Sequence, residues 1–195
     1  MNRPPKAVLR STFPILIAAN ACWLAVLGCA TYSPVGDVYK ARRPKLTVDL
    51  PDGWLRFRSK QPAYLMTRDG LRLEVITLGI TRTGKKLPGT KRVYKSDMLP
   101  IEVADLSLAL LGALEEVKNL QVERIETASV ADHHGYRASG RFIHTTGLPM
   151  RFLVYGISVE ERVCEFGFLA AEEVYYDKYL KDFEDMVASA RIEKK

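Results

Sequence analysis

Alternating apolar and polar residues at 46–50, in the order Leu-Thr-Val-Asp-Leu, predict a first strand. Two further β-rich runs, 63–67 and 71–82, flank Arg-Asp-Gly at 68–70, and Asp-Gly tolerates the positive φ values of a tight hairpin. After Val75 the apolar positions change parity, which indicates either a β-bulge or a strand that is covered on both faces. The first part of the chain is therefore predicted to be a strand, a turn at Pro51-Asp52-Gly53 and a hairpin.

A helical repeat follows Pro100, a residue that fits the first turn of a helix because its missing N–H would have no partner there. Apolar residues then recur at three- and four-residue steps along one stripe: Val103, Leu106, Leu110, Leu114 and Val117. A second amphipathic pattern, from Tyr176 to Ala190, predicts a C-terminal helix. Each apolar stripe requires a sheet to cover it.

The sheet is supplied by four β-rich runs, at 122–130, 136–145, 150–159 and 163–170. Turns are predicted at His134-Gly135, Thr146-Gly147 and Glu160-Glu161. These short spacings favour an antiparallel meander. The predicted fold class is therefore α+β, an antiparallel sheet packed by a mid-chain helix and a C-terminal helix.

Residues 1–28 have the layout of a secretory signal peptide, with a basic start, an apolar run and small residues at its end. The apolar run at 13–28 holds 16 residues. A helix needs roughly 20 to cross the hydrocarbon core of a bilayer. A permanent transmembrane anchor is therefore disfavoured.

The end of this run, VLGC at residues 26–29, resembles the lipobox of bacterial lipoproteins. The resemblance implies cleavage before Cys29 and attachment of lipid to its sulfur and new amino group. Cys22 has Ala19 three positions before it and would leave too short an apolar run. In the Gram-negative lipoproteins that it resembles, Asp after the cysteine signals inner-membrane retention, so Ala30 favours the outer membrane. The alternative is an ordinary secretion signal in which Cys29 is incidental.

Residues 31–45 lack an apolar period and contain Pro34 and Pro44. We therefore interpret residues 29–45 as a lipidated N-terminus and a flexible tether, whose cations either touch anionic headgroups or are solvated. Residues 46–195 are predicted to form a single globular domain, since about 150 residues are enough to bury a core.

Composition and charge narrow the classes of function. Apolar residues are 47% and charged residues 27% of the chain, values that exclude disorder as the main state. Without residues 1–28 the net charge falls from +6 to +3, too weak to indicate nucleic-acid binding. Six cations nevertheless crowd one segment: Arg82, Lys85, Lys86, Lys91, Arg92 and Lys95. We interpret it as a basic loop that contacts anionic lipid or another acidic envelope surface, with a merely solvated loop as the alternative.

The order of elements resembles the PsbP/Mog1-like group of small domains. The likeness rests on LPDGW at residues 50–54, the mid-chain helix, the meander, and the end from FLA at 168–170 through Phe183 to SAR at 189–191. It covers residues 46–191. Most members of that group resemble binding or assembly factors, so the resemblance implies the fold and a non-enzymatic role but no site residue.

Few residues are candidates for chemistry. Cys164 shares strand parity with Phe166 and Phe168, so we predict a buried structural thiol whose pKa is raised by its apolar surroundings. His133 and His134 are adjacent and point apart, which makes a poor chelate, so a solvated turn is expected and no metal site. Motifs for a phosphate loop, a nucleophilic serine or a two-cysteine metal knuckle are absent from the sequence, and no cofactor is expected.

Two functions from different classes remain. The first is an envelope lipoprotein that acts as a non-enzymatic binding or assembly accessory factor on the periplasmic side. It is tethered to the lipid bilayer through acylated Cys29, with an envelope protein or anionic lipid as partner. The alternative is a periplasmic hydrolase that uses His144, at the inner side of a strand end, with a nearby carboxylate. A deep pocket joining His144 to a carboxylate and a nucleophile would favour the hydrolase, and a closed core with a shallow groove would favour the binding protein.

Overall fold

Eleven strands and two helices make up the part of the chain described by the computed structural model, namely residues 32–58, 63–87 and 92–193. In chain order they are β1 (Tyr32–Pro34), β2 (Val38–Lys40), β3 (Leu46–Asp49), β4 (Leu55–Phe57), β5 (Tyr64–Thr67), β6 (Glu74–Arg82), α1 (Pro100–Gly112), β7 (Val117–Val130), β8 (His133–His144), β9 (Pro149–Val159), β10 (Arg162–Ala171), α2 (Tyr175–Ala188) and β11 (Arg191–Ile192). Eight strands form one antiparallel sheet in the order β1-β4-β5-β6-β10-β9-β8-β7, and a smaller sheet has the order β11-β3-β2. The predicted α+β class is confirmed.

Tight turns connect the long strands of the meander. Glu160 and Glu161 both have positive φ, at 48° and 58°, the geometry that matches the twist of a two-residue hairpin. The turn predicted at His134-Gly135 is wrong. The chain turns at Ala131 and Asp132, and His134 and Gly135 lie in β8. Gly135 serves a different purpose there, since a Cβ atom at this position would collide with the backbone of β9.

The large sheet is covered on both faces, by α1 on one side and by α2 with the small sheet on the other. Along β10, Cys164, Phe166 and Phe168 pack on the α2 side, whereas Val163 and Leu169 pack on the α1 side. β6 pairs with β10 in an unbroken register. Double coverage, and not a bulge, therefore explains the change of apolar parity in β6.

Residues 32–45 belong to the folded domain, so the flexible tether predicted at 29–45 is wrong for them. β1 pairs with β4, and β2 pairs with β3. Between β2 and β3, the Ala41 N–H donates to the Leu46 carbonyl at 2.8 Å and the Leu46 N–H donates to the Pro44 carbonyl at 2.7 Å. Strands of three residues need almost no apolar period, which is why the sequence pattern missed them. The folded unit starts with β1.

The predicted stripe of the mid-chain helix is longer than the helix itself. α1 ends at Gly112, and the N–H groups of Ala113 and Leu114 each bond a carbonyl of the last turn at 3.2 Å. Leu114 is 47% exposed, and Val117 is the first residue of β7. Leu114 and Val117 therefore continue the helical spacing in the sequence, but they lie in a turn and at the start of a strand.

β7 forms one edge of the large sheet, and its pairing with β8 is interrupted twice. The register shifts between Lys118 and Gln121 and again between Val122 and Arg124. Asn119, inside the first interruption, has a positive φ of 52°. The outer strand is therefore long but irregular.

Residues 1–28 and Cys29, interpreted as the signal peptide and the lipid site, lie outside the described residues. Within the described ranges, neither helix has the length and hydropathy required to span a membrane.

Candidate functional site

A cavity of about 550 Å³ opens between α1 and the sheet, and we call it the α1–sheet cavity. Most of its wall is apolar and includes Phe57, Leu65, Val75, Leu108, Leu111 and Val154. Its floor follows β10, where Glu165, Gly167 and Leu169 alternate on the face turned to α1. Gly167 has no side chain, and the Thr77 hydroxyl of β6 occupies the space beside it, 2.6 Å from where a Cβ atom would lie. An apolar concavity with few polar groups is the usual form of a small-ligand site.

Polar side chains meet at one wall of the cavity in a hydroxyl–carboxylate cluster, formed by Tyr94, Ser107, Tyr136 and Glu165. The Tyr136 hydroxyl lies 2.9 Å from a Glu165 oxygen and 2.8 Å from the Ser107 hydroxyl. The Tyr94 hydroxyl lies 3.2 Å from both Glu165 oxygens and 2.9 Å from the Ser107 hydroxyl. One carboxylate is thus the common acceptor for two tyrosines.

Close backbone packing makes room for this cluster. A Cβ atom on Gly156 of β9 would overlap the ring of Tyr136, so glycine lets that ring lie flat across the neighbouring strand. Tyr94 lies before α1, and its carbonyl accepts a bond from the Gly84 N–H at 2.7 Å. Ser107 reaches the cluster from α1. Three separate segments therefore fix the hydroxyl groups around Glu165.

The electrostatics of the cluster keep its two tyrosine hydroxyls protonated. Burial, followed by the nearby Glu165 carboxylate, raises the pKa of Tyr94 and of Tyr136, so both remain protonated donors. The Ser107 hydroxyl donates to the Val103 carbonyl at 2.8 Å, and none of its bonds to described residues comes from a base that could accept its proton. Ser107 and Glu165 line the cavity, whereas Tyr94 and Tyr136 are fully buried and bond to these two side chains.

His144 also lines the α1–sheet cavity, together with Glu116, as the hydrolase hypothesis requires. Its Nδ1 atom lies 2.8 Å from the Thr146 hydroxyl and accepts a bond from the Thr146 N–H at 3.2 Å. Among the described residues it has no hydrogen bond to a carboxylate or to Ser107. The fold thus brings a histidine, carboxylates and a serine to one cavity without joining them in a catalytic chain.

The two described ends of the basic loop pair with each other through Lys86 and Val93, and the cations that the structure describes there are exposed. The Leu87 N–H donates to the Arg92 carbonyl at 3.1 Å, and Leu87 is buried. Lys85 and Lys86 are exposed on this loop, whereas Lys91 lies outside the described residues. Three of the described cations line two different depressions: Arg82 lies beside residues 42–45, while Arg92 and Lys95 lie beside Glu102 and Asp105 of α1.

Cys164 is fully buried among the aromatic residues of the α2 side, as its parity predicts. Burial is the main cause that raises the pKa of its thiol to about 12. His133 and His134 are half-buried and exposed, respectively, at the start of β8. Within the described ranges, no group of three or more histidine, cysteine and acidic side chains could hold a metal ion.

The sequence reasoning missed the hydroxyl–carboxylate cluster. Alternation along β10 correctly places Glu165 and Cys164 on opposite faces of the strand. From the sequence alone, however, a charged residue on a strand is expected to face solvent. The available signal was the apolar character of its neighbours Val163 and Leu169 on the same face. A carboxylate between two apolar positions of a doubly covered strand requires hydrogen-bond donors.

Comparison with known proteins supports the fold. No protein-family model and no curated protein sequence matches the chain. The solution structure of CyanoP, the PsbP protein of the cyanobacterium Synechocystis, is similar with a TM-score of 0.58 and 14% identity, covering 86% of this chain and 96% of that one.

Two further structures share the architecture. LpqN of Mycobacterium tuberculosis, described as involved in cell envelope biogenesis, has a TM-score of 0.53 and 16% identity over 84% of this chain and 91% of its own. The Ran-binding protein Mog1p of Saccharomyces cerevisiae has a TM-score of 0.53 and 11% identity, over 82% and 96%. Identities this low show the fold alone. The PsbP/Mog1-like fold expected from the sequence is confirmed.

Proposed function

We propose that this protein is a non-enzymatic binding or assembly accessory factor of the cell envelope, held on a membrane by lipid attached to Cys29. The α1–sheet cavity takes an apolar part of its ligand, and the hydroxyl–carboxylate cluster orients the polar part beside it. The observation that carries this proposal is the apolar cavity with one fixed polar wall.

The binding role is favoured by what the polar groups do. Both tyrosine hydroxyls donate within the cluster, and the Ser107 hydrogen goes to a main-chain carbonyl. These groups can recognise a ligand, but they do not combine a nucleophile with a base. The hydrolase alternative needs His144 to reach such a partner, and its ring is instead bonded to Thr146.

The proposed location rests on the sequence at 26–29 and on one relative in fold. VLGC has the spacing of a lipobox, and Ala30 after the cysteine favours the outer membrane, with the domain facing the periplasm. LpqN, which shares the architecture, is described as a protein of cell envelope biogenesis. The partner is an envelope protein or an anionic lipid.

A neutral apolar probe tests the cavity directly. A chain that starts at Ala30 keeps every described strand and helix and both buried clusters. We expect it to bind N-phenylnaphthylamine saturably, with a rise in fluorescence as the probe leaves water. Leu111→Trp fills part of the cavity from α1 and is expected to weaken binding at least tenfold, since a bulkier wall leaves no room for the rings.

Val122→Trp is the matched control, because Val122 is 45% exposed on β7, away from the cavity wall. It should bind the probe as the parent does. Equal binding by Leu111→Trp and the parent, or absence of binding by the parent, would contradict the proposed site.

A further inference from the structure

A basic depression lies where the loop between β2 and β3 meets the ends of β6 and β10. This depression of about 630 Å³ is lined by five cations and two acids: Arg42, Arg43, Lys45, Arg82, Arg162, Glu160 and Glu161. We call the five cations the basic cradle. They come from three separate segments of the sequence, so only the fold brings them together.

Ordered backbone supports the cradle. Arg82 and Arg162 stand opposite each other in the register of β6 and β10, and the Thr83 N–H donates to the Glu161 carbonyl at 2.9 Å. The loop between β2 and β3 is closed by the two backbone bonds at Ala41 and Leu46 described above. Since the backbone is already fixed, binding an anion here costs little additional ordering of the main chain.

The positive charge of the cradle is only partly compensated. Lys45 lies 2.9 Å from Glu193, and Arg82 lies 4.0 Å from Glu161. All four side chains are more than 60% exposed, so water and salt screen both pairs. The two arginines of the loop between β2 and β3 make no ion pair with the residues that the structure describes. A concave surface with this surplus of guanidinium groups attracts phosphate.

The first strand is directed with its N-terminal residue toward the same end of the sheet. In β1, Tyr32 pairs with Phe57 and Pro34 with the start of β4. Followed through β4 and β5, this register sets Tyr32 level with Thr77 in the middle of β6, and the Tyr32 end of β1 is directed toward the side where β6 ends at Arg82. Cys29 precedes Tyr32 by three residues. Three extended residues span at most about 10 Å.

We propose that the basic cradle binds the phosphates of anionic lipid headgroups in the leaflet that holds the Cys29 lipid, and so sets the domain end-on against the membrane. This inference rests on the anchoring in the proposed function, because the short connection keeps this end of the sheet near the bilayer. Lys85 and Lys86 are exposed and follow Arg82 in the basic loop by three and four residues.

Vesicle sedimentation with the chain that starts at Ala30 tests the cradle without the anchor. We expect sedimentation with vesicles that contain phosphatidylglycerol and none with pure phosphatidylcholine. The association should weaken as salt rises, because the Debye length falls from about 10 Å at 0.1 M to about 3 Å at 1 M. The triple variant Arg42→Gln, Arg43→Gln and Arg162→Gln is expected to lower the affinity for anionic vesicles by about a hundredfold.

A triple variant away from the cradle is the matched control for net charge: Arg72→Gln, Lys118→Gln and Lys181→Gln. All three of these side chains are exposed, and none lines the depression. This control should keep the affinity of the parent within about threefold, since the charges it removes lie outside the proposed contact. The double variant Lys85→Gln and Lys86→Gln measures how much the basic loop contributes to vesicle binding. It is expected to lower the affinity less than the cradle variant does.

The source of the phosphate is settled by competition. Inorganic phosphate, titrated at constant ionic strength, should leave the protein on the vesicles. The proposal would be overturned if phosphate at low concentration displaced the protein, or if the cradle variant bound as well as the parent. It would also be overturned if the control variant lost as much affinity as the cradle variant. Whether Cys29 carries the lipid anchor is tested separately, by the location of the Cys29→Ser variant in cells.

Discussion

Two glutamates in the large sheet show how the neighbours of a residue decide its role. Glu74 is fully buried, and one of its oxygens accepts bonds from the N–H groups of Arg68 and Asp69 at 2.7 Å. Glu165 instead faces the α1–sheet cavity and accepts bonds from tyrosine hydroxyls. The first carboxylate shapes a hairpin turn, and the second lines a cavity. Both glutamates lie in strands that are mostly apolar, so the sequence pattern does not distinguish their roles.

At the same scale, we predict that Cys164→Ala retains the fold and lowers the free energy of unfolding by about 1 kcal/mol. The thiol is small and buried, and its pKa of about 12 keeps it protonated and unreactive. In a chain that starts at Ala30, Cys164 is the sole cysteine. A thiol reagent should therefore label that chain only after denaturant is added, and rapid labelling of the native chain would contradict this account.

At the scale of elements, the turn between β5 and β6 is tied to α2. Asp69 accepts bonds from the Lys178 ammonium at 2.8 Å and from the Tyr179 hydroxyl at 2.6 Å. These hydrogen bonds, led by that from Lys178, lower the pKa of Asp69. The tie holds a hairpin and a helix that are more than 100 residues apart in sequence.

We predict that Asp69→Asn lowers the free energy of unfolding at pH 7 and makes it less dependent on pH in acid. A carboxyl with a lowered folded pKa stabilises the fold above its unfolded value, about 3.9. That contribution is lost as the pH falls through the folded pKa. Urea unfolding of parent and variant from pH 7 to pH 3 should give curves that converge in acid.

Asp52→Asn, at an exposed turn position, is the control and should leave the curve unchanged. Parallel curves for Asp69→Asn and the parent across this pH range would show that the tie does not contribute.

The spacing of apolar residues predicted those strands and helices that bury a regular face in the core. The hairpin at 63–82, the four long strands and both helices were correct in kind, because each buries a regular set of apolar positions. The strands at 32–40 escaped prediction because three residues are too few to show an apolar period, although Tyr32 and Tyr39 pack against rings of the large sheet. The α1–sheet cavity and the basic cradle also escaped, since each joins segments that are distant in the sequence and adjacent only after folding.

At the scale of the whole molecule, the proposed lipid on Cys29 would determine where the domain is located. We predict that Cys29→Ser blocks lipoprotein-type cleavage before residue 29 and shifts the protein out of the membrane fraction. Two or more acyl chains hold a protein stably on a bilayer, and without them the remaining contacts are reversible. Labelling with a radioactive fatty acid, followed by fractionation, measures both effects. Cys22→Ser is the control and should be labelled like the parent, whereas acyl labelling of Cys29→Ser would exclude this site.

The irregular outer strand β7 has a consequence for molecules that are crowded on one surface. A straight, unpaired strand edge offers its N–H and carbonyl groups to a neighbouring copy, and such pairing can continue into an aggregate. The two register shifts of β7 bend this edge, and exposed charges at Lys118, Glu123 and Arg124 would have to be brought against those of a second molecule. The long outer strand thus completes the sheet of one molecule and discourages its extension into the next.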